Sequence, residues 1–201
     1  MTEEENQIQT IVLTGGPGGG KSTFIRELRQ NPEWAGRFVT LPETVAIAGA
    51  TGITPNEKRF QRMAVCFQTA LEDQIKKVIR AGKTDFLICE RGSRDPLAYW
   101  QFNGWSEAEF FDYTGTDFKT HFVRYAAVIH LVTAADGASE FYKTWPDAHR
   151  RETPEQAVRL DRLIERVWGL HPVYFKIDNH DKNWKEKSAT ISRLLLQIRD
   201  R

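Results

Sequence analysis

Short apolar runs alternate with segments of helical periodicity along most of this chain. Ile8, Ile11, Val12 and Leu13 form a first β-branched-rich run, and residues 37–41 a second that ends at Pro42-Glu43. Residues 85–89 (Asp-Phe-Leu-Ile-Cys) form a third, whose continuous apolar character predicts a strand buried on both faces. Residues 125–132 and 173–177 supply a fourth and a fifth. Between them, residues 22–30 place Phe24, Ile25 and Leu28 on one side of a helix. Residues 56–80 repeat Phe60, Met63, Ala64, Phe67, Leu71, Ile75, Val78 and Ile79 at near-helical spacing, and Gly82 ends that helix. Ser106, with Glu109 three residues on, starts a short helix over 106–112. Thr153-Pro154-Glu155 combines a cap, a first-turn proline and a first-turn acid, opening a helix to about Trp168. An amphipathic helix over 184–199 closes the chain.

Five strands separated by helices predict an α/β fold: a three-layer sandwich around a doubly wound, mostly parallel five-stranded sheet with right-handed crossovers. The chain has 201 residues and no internal repeat, low-complexity segment or linker, so residues 1–201 read as one domain. In such sheets ligands bind beyond the carboxyl ends of the strands, so the polar residues just past each strand carry the candidate chemistry.

The run after the first strand is Gly15-Gly16-Pro17-Gly18-Gly19-Gly20-Lys21-Ser22-Thr23, which fits the phosphate-binding pattern G-x-x-x-x-G-K-[ST] between a strand and a helix. Glycines let successive N–H groups approach phosphate oxygens, and the helix N-terminus adds partial positive charge. Lys21 would reach the β- and γ-phosphates, and the Ser22 hydroxyl would hold Mg²⁺. A glycine-rich turn that binds nothing lacks a reason for Lys-Ser at these positions.

Four further strand ends add acids and bases. Glu43 is a candidate general base for an acceptor hydroxyl, or else a solvated charge starting the segment 44–50. Glu90 can meet Mg²⁺ directly or through Ser22, and Arg91 can hold a phosphoryl oxygen in its planar fork; the alternative is a structural Glu–Arg pair. Asp95 either caps the following helix or orients Arg91. Arg150 and Arg151 fall in a region, about 137–153, that can close over the nucleotide as a lid and stabilise charge on the transferring group, or else form a solvated basic patch before an acidic helix start; Lys143 and Arg159 are weaker candidates for the same role. Trp100, Phe102, Trp105, Phe110, Phe111 and Tyr113 either line an acceptor pocket or pack short helices together. His121, His130, His171 and His180 show no catalytic or metal spacing.

Charge narrows the picture by exclusion. With 28 basic and 27 acidic residues and a net charge of +1, nothing in the total calls for nucleic acid or an anionic membrane. No apolar run approaches the roughly 20 residues that span a bilayer, and residues 1–9 do not resemble a signal peptide. Cys66 and Cys89, both in apolar surroundings, read as reduced, buried thiols of a cytoplasmic protein.

Gly-Gly-Pro-Gly-Gly-Gly-Lys-Ser-Thr, Leu41-Pro-Glu-Thr and Leu87-Ile-Cys-Glu-Arg-Gly-Ser-Arg-Asp-Pro-Leu-Ala-Tyr together resemble the AAA-like family of small P-loop ATPase domains. That family includes the nicotinamide riboside kinase domains of bacterial NAD regulators, and the chain is more distantly similar to deoxynucleoside and thymidylate kinases. Arg150-Arg-Glu-Thr-Pro-Glu-Gln-Ala and Ile177-Asp-Asn extend the resemblance over most of the sequence. It implies a P-loop NTPase fold, a triphosphate on Gly15–Thr23, Glu43 as base, Glu90-Arg91 as the kinase Glu-Arg pair, Arg150 or Arg151 in the lid, and Asn179 beside the adenine. A second acid behind a Walker B aspartate and a sensor arginine are missing, against a mechanical ring ATPase. The guanine signature Asn-Lys-x-Asp is missing too, which favours ATP. The expected activity is Mg²⁺-dependent ATP phosphotransfer to a small nucleoside- or nucleotide-like acceptor. The alternative is a nucleotide-dependent regulatory switch acting through a protein partner, and the oligomeric state stays open.

Overall fold

A computed structural model describes residues 8–79, 84–142, 152–180 and 183–200. Strands β1 (Gln9–Thr14), β2 (Phe38–Leu41), β3 (Phe86–Glu90), β4 (Ala127–Leu131) and β5 (Tyr174–Ile177) form one sheet in the order β2-β3-β1-β4-β5. All four pairings are parallel, so the expected "mostly parallel" sheet is parallel throughout. The register sets Leu13 opposite Glu90 and Thr14 opposite His130, which brings the strand ends to one edge.

The helices are α1 (Lys21–Gln30), α2 (Val45–Gly49), α3 (Lys58–Val78), α4 (Asp95–Phe102), α5 (Glu107–Thr114), α6 (Phe118–Phe122), α7 (Pro154–Trp168) and α8 (Trp184–Arg199). Caps place several starts. The Ser106 side chain accepts from the Glu109 N–H, and Thr153 with Gln156 and Asn183 with Glu186 form reciprocal capping boxes. Helix α6 escaped the periodicity reading because five residues are too few to repeat a pattern; Asp117, accepting from the Thr120 N–H, is its only local signal.

Alternation along the strands builds a core on each face of the sheet. Ile11, Leu13, Ile88, Ile129 and Leu131 face α1 and α8 and meet Phe24, Leu28, Ile191, Leu195 and Ile198. Val12 and Val128 face the other way, against Leu97, Trp100, Leu160, Ile164 and Trp168 of α4 and α7. Each fully buried aliphatic side chain in these layers stabilises the fold by about 1.5–3 kcal/mol. No helix among the described residues is long and apolar enough to cross a membrane. Cys89 is buried as expected, but Cys66 is exposed, because its position on α3 turns it away from the layer that Val65 enters.

Candidate active site

The glycine-rich loop leaves β1 at the centre of the sheet and packs on the end of β4. Gly15 has φ 125°, and a Cβ there would stand 2.0 Å from the Leu131 carbonyl oxygen, so no side chain fits. Helix α1 begins after Gly20, itself left-handed at φ 95°, and no side chain caps its first turn. With no side-chain cap, the first-turn amides of α1 are left for an external anion at the end of the glycine-rich loop.

Lys21 is only 6% exposed, and its ammonium donates to Gly15 O at 2.9 Å and Gly16 O at 3.0 Å. Burial, reinforced by the Arg91 charge, lowers its pKa from 10.5 to about 8; Glu43, Glu90 and Asp95 pull the other way. The Ser22 hydroxyl donates to Glu90 Oε1 at 2.5 Å. A hydroxyl and a carboxylate are hard oxygen donors, and Mg²⁺ takes one or two such protein ligands with phosphates and water completing its shell, so this pair fits the ion.

Arg91 organises the neighbouring strand end. It has φ 78°, a left-handed conformation that costs a non-glycine residue roughly 1–2 kcal/mol. Its backbone is held on both sides: its N–H donates to Leu13 O at 3.1 Å, and Gln68 Nε2 donates to its carbonyl at 3.1 Å. The turned backbone sends the guanidinium to Glu43 Oε1 (2.7 Å from Nε), Gly15 O (2.9 Å from Nη1) and Asp95 Oδ1 (3.2 Å from Nη1), above the Tyr99 ring. Asp95 also accepts from Thr14 Oγ1, the Gly92 N–H and Trp168 Nε1. Of its two anticipated roles, orienting Arg91 is therefore met, while the carboxylate turns back to the turn before α4 instead of capping that helix. Glu43 stays 35% exposed on its side chain.

Lys21, Ser22, Glu43, Glu90 and Arg91 thus converge on one edge around the loop. Arg150 and Arg151, with Lys143, lie outside the described residues. Asn179 is placed differently from the adenine contact expected of it. It is buried, its Nδ2 donates to Thr133 O and Asp136 O at 2.7 Å each, and its Oδ1 accepts from Lys187 Nζ at 2.7 Å. Those bonds tie the exit of β4 to β5 and leave the side chain occupied. Arg159 lies on the exposed face of α7 over the Phe102 ring. In the aromatic stretch the packing alternative holds: Trp100 is fully buried, with Trp105, Phe110 and Tyr113 at ring distances of 4.8, 5.6 and 5.8 Å.

The family model of an AAA domain matches residues 10–187. The chain belongs to this AAA-domain family. No curated protein matches the sequence. Among solved structures, deoxyadenosine kinase from M. mycoides with dCMP and dCDP bound is 16% identical; the match covers 94% of this chain and all of that one, with a TM-score of 0.64. The same enzyme with bound dATP is 15% identical over 92% of this chain and 98% of its own, with a TM-score of 0.61. The shared feature is the fold: a P-loop NTPase sandwich.

Several side chains that build the AAA-domain site carried no motif. Thr133 donates its hydroxyl to Pro17 O. Gln68 and Glu72 are buried on α3, where Glu72 accepts from Gln68 Nε2 and Tyr125 OH at 2.8 Å and from Arg124 Nε at 2.8 Å. Asp161, on α7, bonds the loop itself. The usable signal for all three acids and amides is a polar residue on the apolar stripe of an amphipathic helix, where burial without a partner would be costly.

Proposed function

We propose that this protein is a Mg²⁺-dependent, ATP-binding phosphotransferase that acts on a small nucleoside- or nucleotide-like acceptor. The observation that carries the reading is the Glu43–Arg91 pair at 2.7 Å, anchored to Gly15 of the phosphate loop. A switch needs the loop, but it has no use for a half-buried carboxylate paired with a guanidinium at the loop's edge. The AAA-domain match supports nucleotide binding, and the shared sandwich supports placing an acceptor past β2 and β3.

In this reading the loop amides of Gly15 to Thr23 and the first turn of α1 cradle the triphosphate. Lys21 turns from the Gly15 and Gly16 carbonyls toward the β- and γ-phosphate oxygens. Ser22 and Glu90 would hold Mg²⁺, which supplies charge neutralisation on those oxygens. Glu43 takes the proton of the acceptor hydroxyl as its oxygen bonds to the γ-phosphorus and the bond to the bridging β,γ-oxygen breaks, leaving ADP. Arg91 holds Glu43 in place and faces the charge on the moving group, and Arg150 or Arg151 would supply a further cation from the lid. Residues 1–201 act as one domain, in the cytoplasm if the two thiols are kept reduced.

The deciding experiment is ATP consumption with Mg²⁺ against a panel of nucleosides, nucleotides and vitamin ribosides, including nicotinamide riboside, with products read by mass spectrometry. Strong stimulation by one compound and its phosphorylated product would establish the kinase. ATP binding without stimulation by any compound would overturn it in favour of a partner-dependent switch.

A further inference from the structure

Asp161 is 3% exposed on α7, in an apolar stripe between Leu160 and Ile164. A buried carboxylate survives only when its charge is met by donors. Three N–H groups converge on its single oxygen Oδ1: the Gly16 amide at 2.5 Å, the His130 ring Nε2 at 3.1 Å and the Thr133 amide at 3.2 Å. With a carboxylate as acceptor, His130 carries its hydrogen on Nε2. Burial alone would raise the pKa of Asp161, but these hydrogen bonds outweigh it and hold the group below the usual carboxylate range.

The Gly16 peptide is gripped from both ends. Its N–H goes to Asp161, and its carbonyl accepts from Lys21 Nζ and, at 3.3 Å, from the Gly19 N–H. Gly16 and Asp161 also touch so closely that a Cβ on the glycine would stand 2.8 Å from the aspartate Cβ. The next residue, Pro17, has its carbonyl held by Thr133, which Asp161 holds in turn. When Lys21 leaves the Gly16 carbonyl for a phosphate, Asp161 keeps its hold on the Gly16 amide.

We propose that Asp161 is a positioning residue for the phosphate loop: one carboxylate oxygen keeps the Gly15–Pro17 segment in its nucleotide-accepting shape and couples it to α7. The proposal rests on the reading that this loop holds a nucleotide. It assigns Asp161 no contact with substrate.

The test uses the full chain with Asp161→Ala, Asp161→Asn and the control Ile164→Ala, a buried apolar truncation one turn further along α7. Two quantities are read: hydrogen exchange of the peptide over residues 12–20 without nucleotide, and ATP affinity followed by tryptophan fluorescence. Asp161→Ala is expected to speed loop exchange and weaken ATP binding by about tenfold or more, as leaving buried N–H groups without an acceptor does. Asp161→Asn keeps an oxygen for the Gly16 and Thr133 amides and should stay within about threefold of wild type. Ile164→Ala should lower the melting temperature and change neither readout. Loop exchange and affinity within about twofold of wild type in Asp161→Ala, or equal losses in Ile164→Ala, would overturn the proposal. Should the alanine variant not fold, Asp161→Ser, whose hydroxyl stops one bond short of the Oδ1 position, carries the same expectations. If the wild-type protein binds no ATP, the phosphotransferase reading fails, and the exchange measurement still decides the role of Asp161.

Discussion

Lys21 and Arg91 share one acceptor: the Gly15 carbonyl oxygen lies 2.9 Å from Lys21 Nζ and 2.9 Å from Arg91 Nη1. Two cations on one carbonyl repel each other, and the cost is offset by Glu43, Glu90 and Asp95 around them. An arriving polyanion relieves that repulsion directly, which gives the cluster its electrostatic sense. Lys21→Ala is accordingly expected to weaken triphosphate binding and abolish transfer, measured by ATP titration and product formation. Near-normal turnover in that variant would remove the loop from the mechanism.

The same lowered pKa makes a pH dependence. Lys21 carries its charge below a pKa of about 8 and loses it above, so ATP affinity should hold near pH 7 and fall as pH rises through that value. Bound phosphates favour the charged form and raise its pKa, so the fall starts near pH 8 and continues up to that higher value. In the nucleotide-free protein the sign reverses. Between about pH 8 and the ordinary value of 10.5 the unfolded chain binds more protons at this site than the folded one, so this group's contribution makes stability rise with pH. Affinity that stays flat from about pH 7 to about pH 9.5 would show that the ammonium does not face the phosphates.

Glu43→Gln preserves an oxygen for Arg91 and removes the base. We expect kcat to drop by about 10²–10⁴-fold with little change in nucleotide affinity. An unchanged kcat would make Glu43 a structural partner of Arg91 and nothing more.

Arg91 serves three acceptors, one in the segment between β2 and α2, one in the phosphate loop and one on α4, which a single ammonium cannot reproduce. Arg91→Lys should therefore impair transfer almost as severely as Arg91→Ala. Steady-state kinetics with the identified acceptor checks this, and full activity in the lysine variant would reduce Arg91 to a source of positive charge.

Gln68 holds the strained turn from behind: it donates to the Arg91 carbonyl and to Glu72, and accepts from Thr44 Oγ1 at 3.0 Å. Gln68→Leu removes the partner of the Arg91 carbonyl and of the Thr44 hydroxyl, at about 1–3 kcal/mol of stability. Chemical denaturation measures it, and a loss below about 0.5 kcal/mol would mean that Arg91 keeps its left-handed backbone without this support.

What the sequence alone determined was whatever is written in neighbouring residues. The strands follow from runs such as Phe86-Leu87-Ile88-Cys89, α7 from its cap and first-turn proline, α8 from its amphipathic pattern, and the loop from the spacing Gly15 to Ser22. Each is a short-range interaction or a periodicity, and the C-terminal edge rule then gathered Glu43, Glu90 and Arg91 without reference to coordinates. Only the tertiary structure decided who bonds whom across that edge. Asp161 meets Gly16 across a sequence separation of 145, and no spacing rule spans that distance. His130 looked like a lone histidine in an apolar strand until α7 brought it a carboxylate. Asn179 had the right place for a nucleotide contact, but packing of β5 against the β4 exit turned its amide to Thr133 and Asp136. Buried polar groups must find partners wherever the fold puts them, and that requirement is met in space, not along the chain.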